Sequence, residues 1–194
     1  MLYYKFSDYL KSKYGEKVYK LPVNLPVTCP NRDGRVSRRG CIFCGEEGAG
    51  FENLPCSLSV REQLAQNSKY IGDNYKSGKF IAYFQNYSNT YLPLSKFKEY
   101  ILEACIENVV AIYISTRPDC INDSYLEFLS RIQKEKGIDI VLEMGLQTVN
   151  YHTLKILNRG HLLAEFIDAV IRARRYNLDV CVHYIVDLPM DSLD

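Results

Sequence analysis

Five short apolar runs, each continuous rather than alternating, place the strongest constraint on how this chain can fold. One of them reads VVAIYIST and another reads DIVLEMG. A strand that is apolar at nearly every position is covered on both faces, as in a parallel sheet flanked by helices. The runs lie at about 18–28, 80–85, 109–116, 138–146 and 179–186.

Amphipathic segments with the period of a helix separate these runs. They lie at about 59–75, 95–107, 122–136 and 162–176. Alternating strands and helices predict an α/β fold with right-handed crossovers, either a barrel or part-barrel or an open doubly wound sheet. In both architectures ligands bind at the carboxyl ends of the strands, so the residues that follow each run are the candidates for function.

The last predicted strand leads into a turn that has almost no chain after it. Leu-Pro-Met-Asp-Ser at 188–192 resembles a turn followed by a helix cap, and the sequence stops at Asp194. We therefore expect residues 1–194 to form one domain that is truncated after its fifth strand. The chain is then a fragment of a longer protein, or it lacks one crossover element.

Composition excludes several classes of protein. Twenty-four Lys and Arg against 23 Asp and Glu leave a net charge of +1, so any affinity for nucleic acid must be local. No apolar run approaches the roughly 20 residues of a membrane span, and the first residues lack the apolar core of a signal peptide. With 12% aromatic residues the chain suits a packed fold. We expect a cytoplasmic protein with no membrane partner.

The seven cysteines divide into two groups. An odd number without a secretion signal argues against a disulfide framework. Three cysteines stand alone in apolar or helical surroundings, where we expect small core residues: Cys105, Cys120 and Cys181. The other four lie within 28 residues and are candidate metal ligands: Cys29, Cys41, Cys44 and Cys56.

The grouped cysteines are compatible with an iron–sulfur cluster. Cys41 and Cys44, two residues apart, can share one metal centre, and Cys29, at the expected end of the first strand, supplies a third thiolate. Three thiolates suit a [4Fe–4S] cluster with one iron left open for another ligand. Nearby arginines favour the thiolate forms and offset the negative charge of a cluster. They are Arg32, Arg35, Arg38 and Arg39.

The same cysteines also allow a structural zinc site. The spacing Cys29-x11-Cys41-x2-Cys44-x11-Cys56 supplies four ligands, although a zinc knuckle normally has two close pairs of cysteines. Spacing alone leaves the cluster, the zinc ion and a site without metal open.

The cysteine loop resembles that of a known family. The segments TCPNRDG and RRGCIFC, with Cys-x11-Cys-x2-Cys spacing, resemble the YhcC-like family of radical S-adenosylmethionine (SAM) proteins, relatives of the catalytic subunit of Elongator. The resemblance runs from about Tyr9 to the end of the chain. It implies a partial (β/α)6-type radical SAM barrel. It also implies that Cys29, Cys41 and Cys44 hold a [4Fe–4S] cluster whose open iron binds SAM.

The resemblance further implies an enzyme. An external one-electron reductant drives cleavage of SAM to methionine and a 5′-deoxyadenosyl radical, which abstracts hydrogen from a substrate. The sequence does not identify the substrate. Kinship with Elongator makes RNA a candidate, with the loop arginines as phosphate contacts. The alternatives are a non-catalytic zinc-binding module and a redox protein that holds a cluster without cleaving SAM.

Three regions before residue 120 are expected to contact SAM. Relatives carry a glycine-rich segment after the second strand. Here the aligned FQNYSNT has no glycine, so Gln85 and Asn86 are expected to act through side chains, with an ordinary Asn/Ser turn as the alternative. Ser115 stands where Elongator-like relatives have a carboxylate. Arg117 pairs with the SAM carboxylate, a substrate phosphate or a neighbouring acid. Phe43, beside Cys44, is expected to pack near the adenine.

Later strand ends agree with the same family. LEMGLQT resembles its E-x-G-x-Q-[ST] motif, in which Gln147 reaches the SAM ribose. Glu143, in an otherwise apolar run, needs a partner such as an arginine or a ligand hydroxyl. Arg159 matches a position where relatives clamp SAM. His183 falls where some relatives carry an acidic ribose ligand. The turn Asp-Leu-Pro-Met-Asp departs from the usual G-L-P-G-E.

Overall fold

A computed structural model describes residues 2–45, 53–75 and 78–191. Its centre is one sheet of five parallel strands in the order β1-β2-β3-β4-β5, so every strand pairs with its neighbours in sequence. Doubly wound sheets reverse direction at a switch point, and this sheet does not. The architecture is therefore the partial barrel. The strands are β1 (Val18–Val23), β2 (Lys79–Phe84), β3 (Val109–Thr116), β4 (Asp139–Gln147) and β5 (Asp179–Tyr184).

Six α-helices accompany the strands among the described residues. The four predicted helices are confirmed within a few residues, and two shorter ones, α1 and α5, were not predicted. The helices are α1 (Phe6–Tyr14), α2 (Val60–Tyr75), α3 (Leu94–Ala104), α4 (Asp123–Lys136), α5 (Tyr151–Ile156) and α6 (Leu163–Arg175). None of them is both long and apolar enough to cross a bilayer.

The first strand corrects one expectation. β1 ends at Val23, and Cys29 lies six residues further along an extended loop rather than at the strand end. Pro22 is tolerated because β1 is an edge strand, and Pro26 follows shortly after the strand ends. The cysteines therefore belong to a loop that other elements must hold. The expected helix cap at Ser192 lies outside the described residues.

The two faces of the sheet have different coverings. Helices α2, α3, α4 and α6 pack on the convex face and form the larger apolar core with it. Helix α1 packs on the concave face, where Leu10 contacts a smaller cluster that includes Ile81, Tyr113 and Val141. Because side chains alternate between faces along a strand, the same face carries polar residues nearer the carboxyl ends. Those polar side chains line the site described next.

Candidate active site

A cavity of about 300 Å³ opens at the carboxyl ends of the strands, where parallel α/β sheets bind ligands. Ten of the eleven residues predicted for the site line this cavity. They come from the cysteine loop, from four strands or strand ends, and from the loop after α5. These residues are Cys29, Cys41, Phe43, Cys44, Gln85, Ser115, Glu143, Gln147, Arg159 and His183. Asn86 and Cys56 do not line the cavity.

Strand periodicity explains which side chains reach the cavity. Glu143 and Gly145 share a face of β4, and their register partners Cys181 and His183 share the same face of β5. Tyr83 on β2 and Ser115 on β3 lie on this face too, and the Ser115 hydroxyl is 3.4 Å from that of Tyr83. A shift of one residue in any strand would turn these groups into the convex core.

The cysteine loop is folded by its own backbone and by the segment Asn158–His161. Its turn starts with the amides of Arg32 and Asp33, which donate to the carbonyl of Cys29. Asn158 donates through Nδ2 to the Gly40 carbonyl at 2.7 Å and to the Ser37 hydroxyl at 2.9 Å. These contacts join parts of the chain about 120 residues apart and hold the cysteines over the sheet.

Gly160 allows the closest approach between these two segments. Its φ is +75°, and a Cβ there would lie 2.6 Å from Val36 Cγ1 and 3.0 Å from Asn31 Oδ1. Both the left-handed backbone and the lack of space favour glycine at this position.

Nitrogen donors surround the cysteine sulfurs. Asn31 Nδ2 lies 3.4 Å from Cys41 Sγ, and Arg159 lies 3.6 Å from the same sulfur. Arg32 donates to Cys44 Sγ at 3.4 Å. Such donors stabilise negative charge on a sulfur ligand.

Cys29 is partly buried in the loop. Burial raises the pKa of this thiol, and a hydrogen bond from the Asn31 backbone and the charges of Arg117 and Arg159 offset only part of that rise. An ion or cluster that binds the thiolate would supply the missing stabilisation.

Arg159 is a buried cation that has no carboxylate partner in the described part of the chain. It is only 7% exposed, its Nη2 donates to the Gly145 carbonyl at 2.7 Å, and its Nε has no hydrogen-bond partner among the described residues. Burying an unpaired guanidinium costs several kcal/mol of folding free energy, on the order of the desolvation penalty of a buried ion. The cavity therefore suits an anionic ligand, which fits both a thiolate-bound cluster and a carboxylate.

Glu143 finds two cationic partners, neither of which is an arginine. Its side chain is 1% exposed, it bonds Lys20 through Oε1, and His183 Nε2 lies 3.1 Å from Oε2. Burial acts to raise the pKa of Glu143, but the hydrogen bond from His183 and the charge of Lys20 overcome it, so the pKa lies below its usual range. Hydrogen bonds with Cys181 and Glu143 raise the pKa of His183 to about 9.

Lys20 is a functional candidate that sequence reasoning missed. Its ammonium lies 3.9 Å from the ring centroid of Tyr83 and 4.8 Å from that of Tyr113, on the concave face beneath the cavity. The sequence did contain a signal for it. Lys20 alternates with Val18 and Pro22 on the inward side of an otherwise apolar strand, where a charged residue is unusual. The sequence predicted Arg32, with three other arginines, to favour the thiolate forms, whereas the role of Asn31 as a donor to sulfur was missed.

Arg117 takes the neighbouring acid as its partner. Its Nε and Nη2 each donate to an oxygen of Asp119 at 2.8 Å, and its Nη1 donates to the Arg159 carbonyl at 2.9 Å. The guanidinium is therefore engaged on all sides, and of the alternatives raised by the sequence the local ion pair describes this structure.

The turn after β2 is held together by asparagine. Asn89 Nδ2 donates to the carbonyls of Phe84, Asn86 and Ser115, and Asn86 Nδ2 donates to Asn24 Oδ1 at 2.9 Å. This arrangement is the Asn-rich turn considered as the alternative, with Gln85 directed to the cavity and Asn86 behind it.

His161 is buried and electrically neutral at ordinary pH. Burial and the charges of Arg159 and Arg117 lower its pKa to about 4, and its Nε2 meets no hydrogen-bond partner within the described ranges. It does not line the cavity.

The four grouped cysteines do not gather around a single point. Within the described ranges, the only three metal-ligating groups whose ligand atoms all lie within 4.8 Å of one another are Glu143, Cys181 and His183. Sulfur ligands of one zinc ion would be closer than that limit, whereas ligands of a larger cluster are further apart. Cys56 is exposed.

Sequence comparison agrees with this geometry. The Radical SAM superfamily profile matches residues 29–194. The chain is 36% identical over 185 residues to protein YhcC of Escherichia coli K12, covering 95% of this chain and 58% of that protein. It is 32% identical over 193 residues to YtqA of Bacillus subtilis, covering 99% and 59%. It is 34% identical over 196 residues to MJ0486 of Methanocaldococcus jannaschii, covering 98% and 58%. The chain thus spans less than two thirds of the length of these relatives.

Solved structures share the fold. Native anSMEcpe with bound AdoMet superposes with a TM-score of 0.53 at 12% identity, covering 85% of this chain and 43% of that one. Coproporphyrinogen III oxidase (HemN) from Escherichia coli, a radical SAM enzyme, superposes with a TM-score of 0.51 at 17% identity, covering 93% and 40%. At such identities the likeness concerns the fold alone. Together with the sequence match over most of the chain, it shows that the chain belongs to the radical SAM superfamily and to its YhcC-like family.

Proposed function

We propose that residues 1–194 form one radical SAM core domain in which Cys29, Cys41 and Cys44 hold a [4Fe–4S] cluster next to a SAM site. The observation that carries this proposal is the cavity itself, because three cysteines and the buried Arg159, which pairs with no carboxylate of the described residues, line one space at the strand ends. Once reduced by an external one-electron donor, such a cluster supplies the electron that cleaves SAM to methionine and a 5′-deoxyadenosyl radical for hydrogen abstraction.

The protein side chains bind and orient SAM in this proposal. Arg159, with an unused N–H, pairs with the SAM carboxylate. Gln147 and the Glu143–His183 pair form hydrogen bonds with the ribose hydroxyls. Phe43 packs on the adenine. The remaining predicted contacts, Gln85 and Ser115, lie on the same wall. Asn86 acts only indirectly, through the turn that it helps to hold.

Metal analysis tests the cluster. Protein purified without oxygen should contain about four irons and four sulfides per chain and little zinc. Cys44→Ala should lose most of the iron. Cys56→Ala, a matched loss of one thiol outside the cavity, should retain it. One zinc per chain without sulfide, lost in both variants, would instead support the structural zinc module.

Product analysis tests the chemistry. With dithionite as the reductant, loaded protein should convert SAM to 5′-deoxyadenosine and methionine, and Arg159→Gln should bind SAM at least tenfold more weakly, a loss of about 1.4 kcal/mol. A cluster that never yields 5′-deoxyadenosine would support the redox protein.

RNA stays a prediction for the substrate. Arg35, Arg38 and Arg39 are exposed beside the cavity loop, whereas Arg32 is engaged with Cys44. Exposed arginines are suitable for phosphate contacts, whose number sets the salt dependence of binding. Replacing the three exposed arginines by glutamine should weaken RNA binding and flatten its salt dependence, and unchanged binding would exclude this loop as the RNA contact.

A further inference from the structure

The dipeptide Asn31-Arg32 lies between Cys29 and Cys41 in the sequence, and both of its side chains donate to cysteine sulfurs. Asn31 Nδ2 lies 3.4 Å from Cys41 Sγ, and Arg32 Nη2 lies 3.4 Å from Cys44 Sγ. The Asn31 backbone also hydrogen-bonds the Cys29 thiol. All three thiols therefore receive a donor from two adjacent residues of the loop.

Several contacts hold the Arg32 guanidinium in this place. The Nη2 that donates to the Cys44 sulfur also donates to the Cys44 carbonyl at 3.0 Å and to the carbonyl of Gly45. The Tyr87 ring lies 5.5 Å from Cζ. Gly40, at φ +70°, leaves the space, since a Cβ there would lie 3.3 Å from Arg32 Nε. These contacts thus hold the guanidinium against the Cys44 sulfur, although Arg32 is only half-buried.

A fixed donor of this kind acts on redox chemistry. Reduction adds one negative charge to the cluster and its thiolate ligands. An N–H donor and a full positive charge beside a thiolate stabilise the reduced form more than the oxidised form, which raises the reduction potential. We propose that Arg32 is a positioning residue that, through Cys44, sets the reduction potential of the cluster and so determines how strong a reductant the protein needs.

This inference rests on the proposed cluster and is tested by its potential rather than by turnover. Anaerobic redox titration, followed by visible absorbance and EPR without SAM, compares wild type with Arg32→Gln. At the wild-type midpoint potential the ratio of reduced to oxidised cluster should fall about tenfold, equivalent to about 59 mV for one electron. The potential is read on the loaded fraction, so incomplete loading does not hide it.

Arg39→Gln is the matched control, because it removes the same charge from an exposed side chain of the same loop. In this variant the ratio of reduced to oxidised cluster at the wild-type midpoint potential should change less than twofold. A ratio in Arg32→Gln within twofold of wild type, or an equal fall in both variants, would overturn the proposal. If Arg32→Gln holds no cluster, Arg32→Lys replaces it, with about a threefold fall expected and an unchanged ratio contradicting the role. A wild-type chain without iron and sulfide would refute the proposed function instead.

Discussion

Replacing Asp119 by asparagine should destabilise the protein far more than a similar change on the surface. Asp119 accepts two hydrogen bonds from Arg117, whose side chain is 3% exposed. Removal of one member of a fully buried ion pair costs about 3–5 kcal/mol, because the other charge stays buried without compensation. Asp119 is itself 22% exposed, and asparagine still accepts one hydrogen bond, so we expect a loss of about 2–3 kcal/mol.

Equilibrium unfolding in urea measures this loss. With an m-value of about 2–3 kcal/mol per molar urea, the midpoint should fall by about 1 M. Asp168→Asn is the control, since it breaks the exposed i,i+4 pair with Arg172 and should cost less than about 0.5 kcal/mol. A loss below about 1 kcal/mol in Asp119→Asn, or equal losses in both variants, would refute the reasoning that Arg117 depends on Asp119 for its charge compensation.

Three further predictions concern the site. Gly160→Ala should cost about 2 kcal/mol in urea unfolding through its left-handed backbone and its clash with Val36, and Gly137→Ala, left-handed but in open space, should cost about half as much. Equal losses of unfolding free energy in the two variants would show that the contact with Val36 does not matter at Gly160. Because the pKa of His183 is raised to about 9, the contribution of its positive charge to the free energy of unfolding is complete below pH ~6.5 and is lost as the pH rises through 9. Wild type should therefore lose about 1 kcal/mol relative to His183→Gln over that interval, a value reduced because the side chain is 47% exposed. A pH-independent difference would contradict it. Phe43→Ala should weaken SAM binding about tenfold in equilibrium dialysis with unchanged iron content, and a parallel loss of iron would indicate a structural role instead.

Local pattern was sufficient for most of the fold. Continuous apolar runs and helical periodicity predicted five strands and four helices because these features depend on neighbours within one turn or one strand. The same reasoning could not choose between barrel and doubly wound sheet, since the order of strands depends on contacts between distant segments. It also placed Cys29 at a strand end, whereas the first strand stops at Val23.

The cavity residues show the same division. The family resemblance selected Ser115, Glu143 and His183, and the strand register explains why they share one wall, because alternate residues of paired strands share a face. The partner of Glu143 was not predictable. An arginine was a reasonable expectation, yet Lys20 fills the role from a strand 123 residues away.

The sequence by itself therefore determined the fold class through periodicity and the family through its motifs, because both are properties of short segments. Tertiary structure alone decided which charges meet. It gave Arg117 to Asp119, left Arg159 buried without an acid from the part of the chain that the structure describes, and directed Arg32 to the Cys44 sulfur. The physical reason is that the energy of a buried charge depends on every group packed around it, and those groups come from segments that only folding brings together.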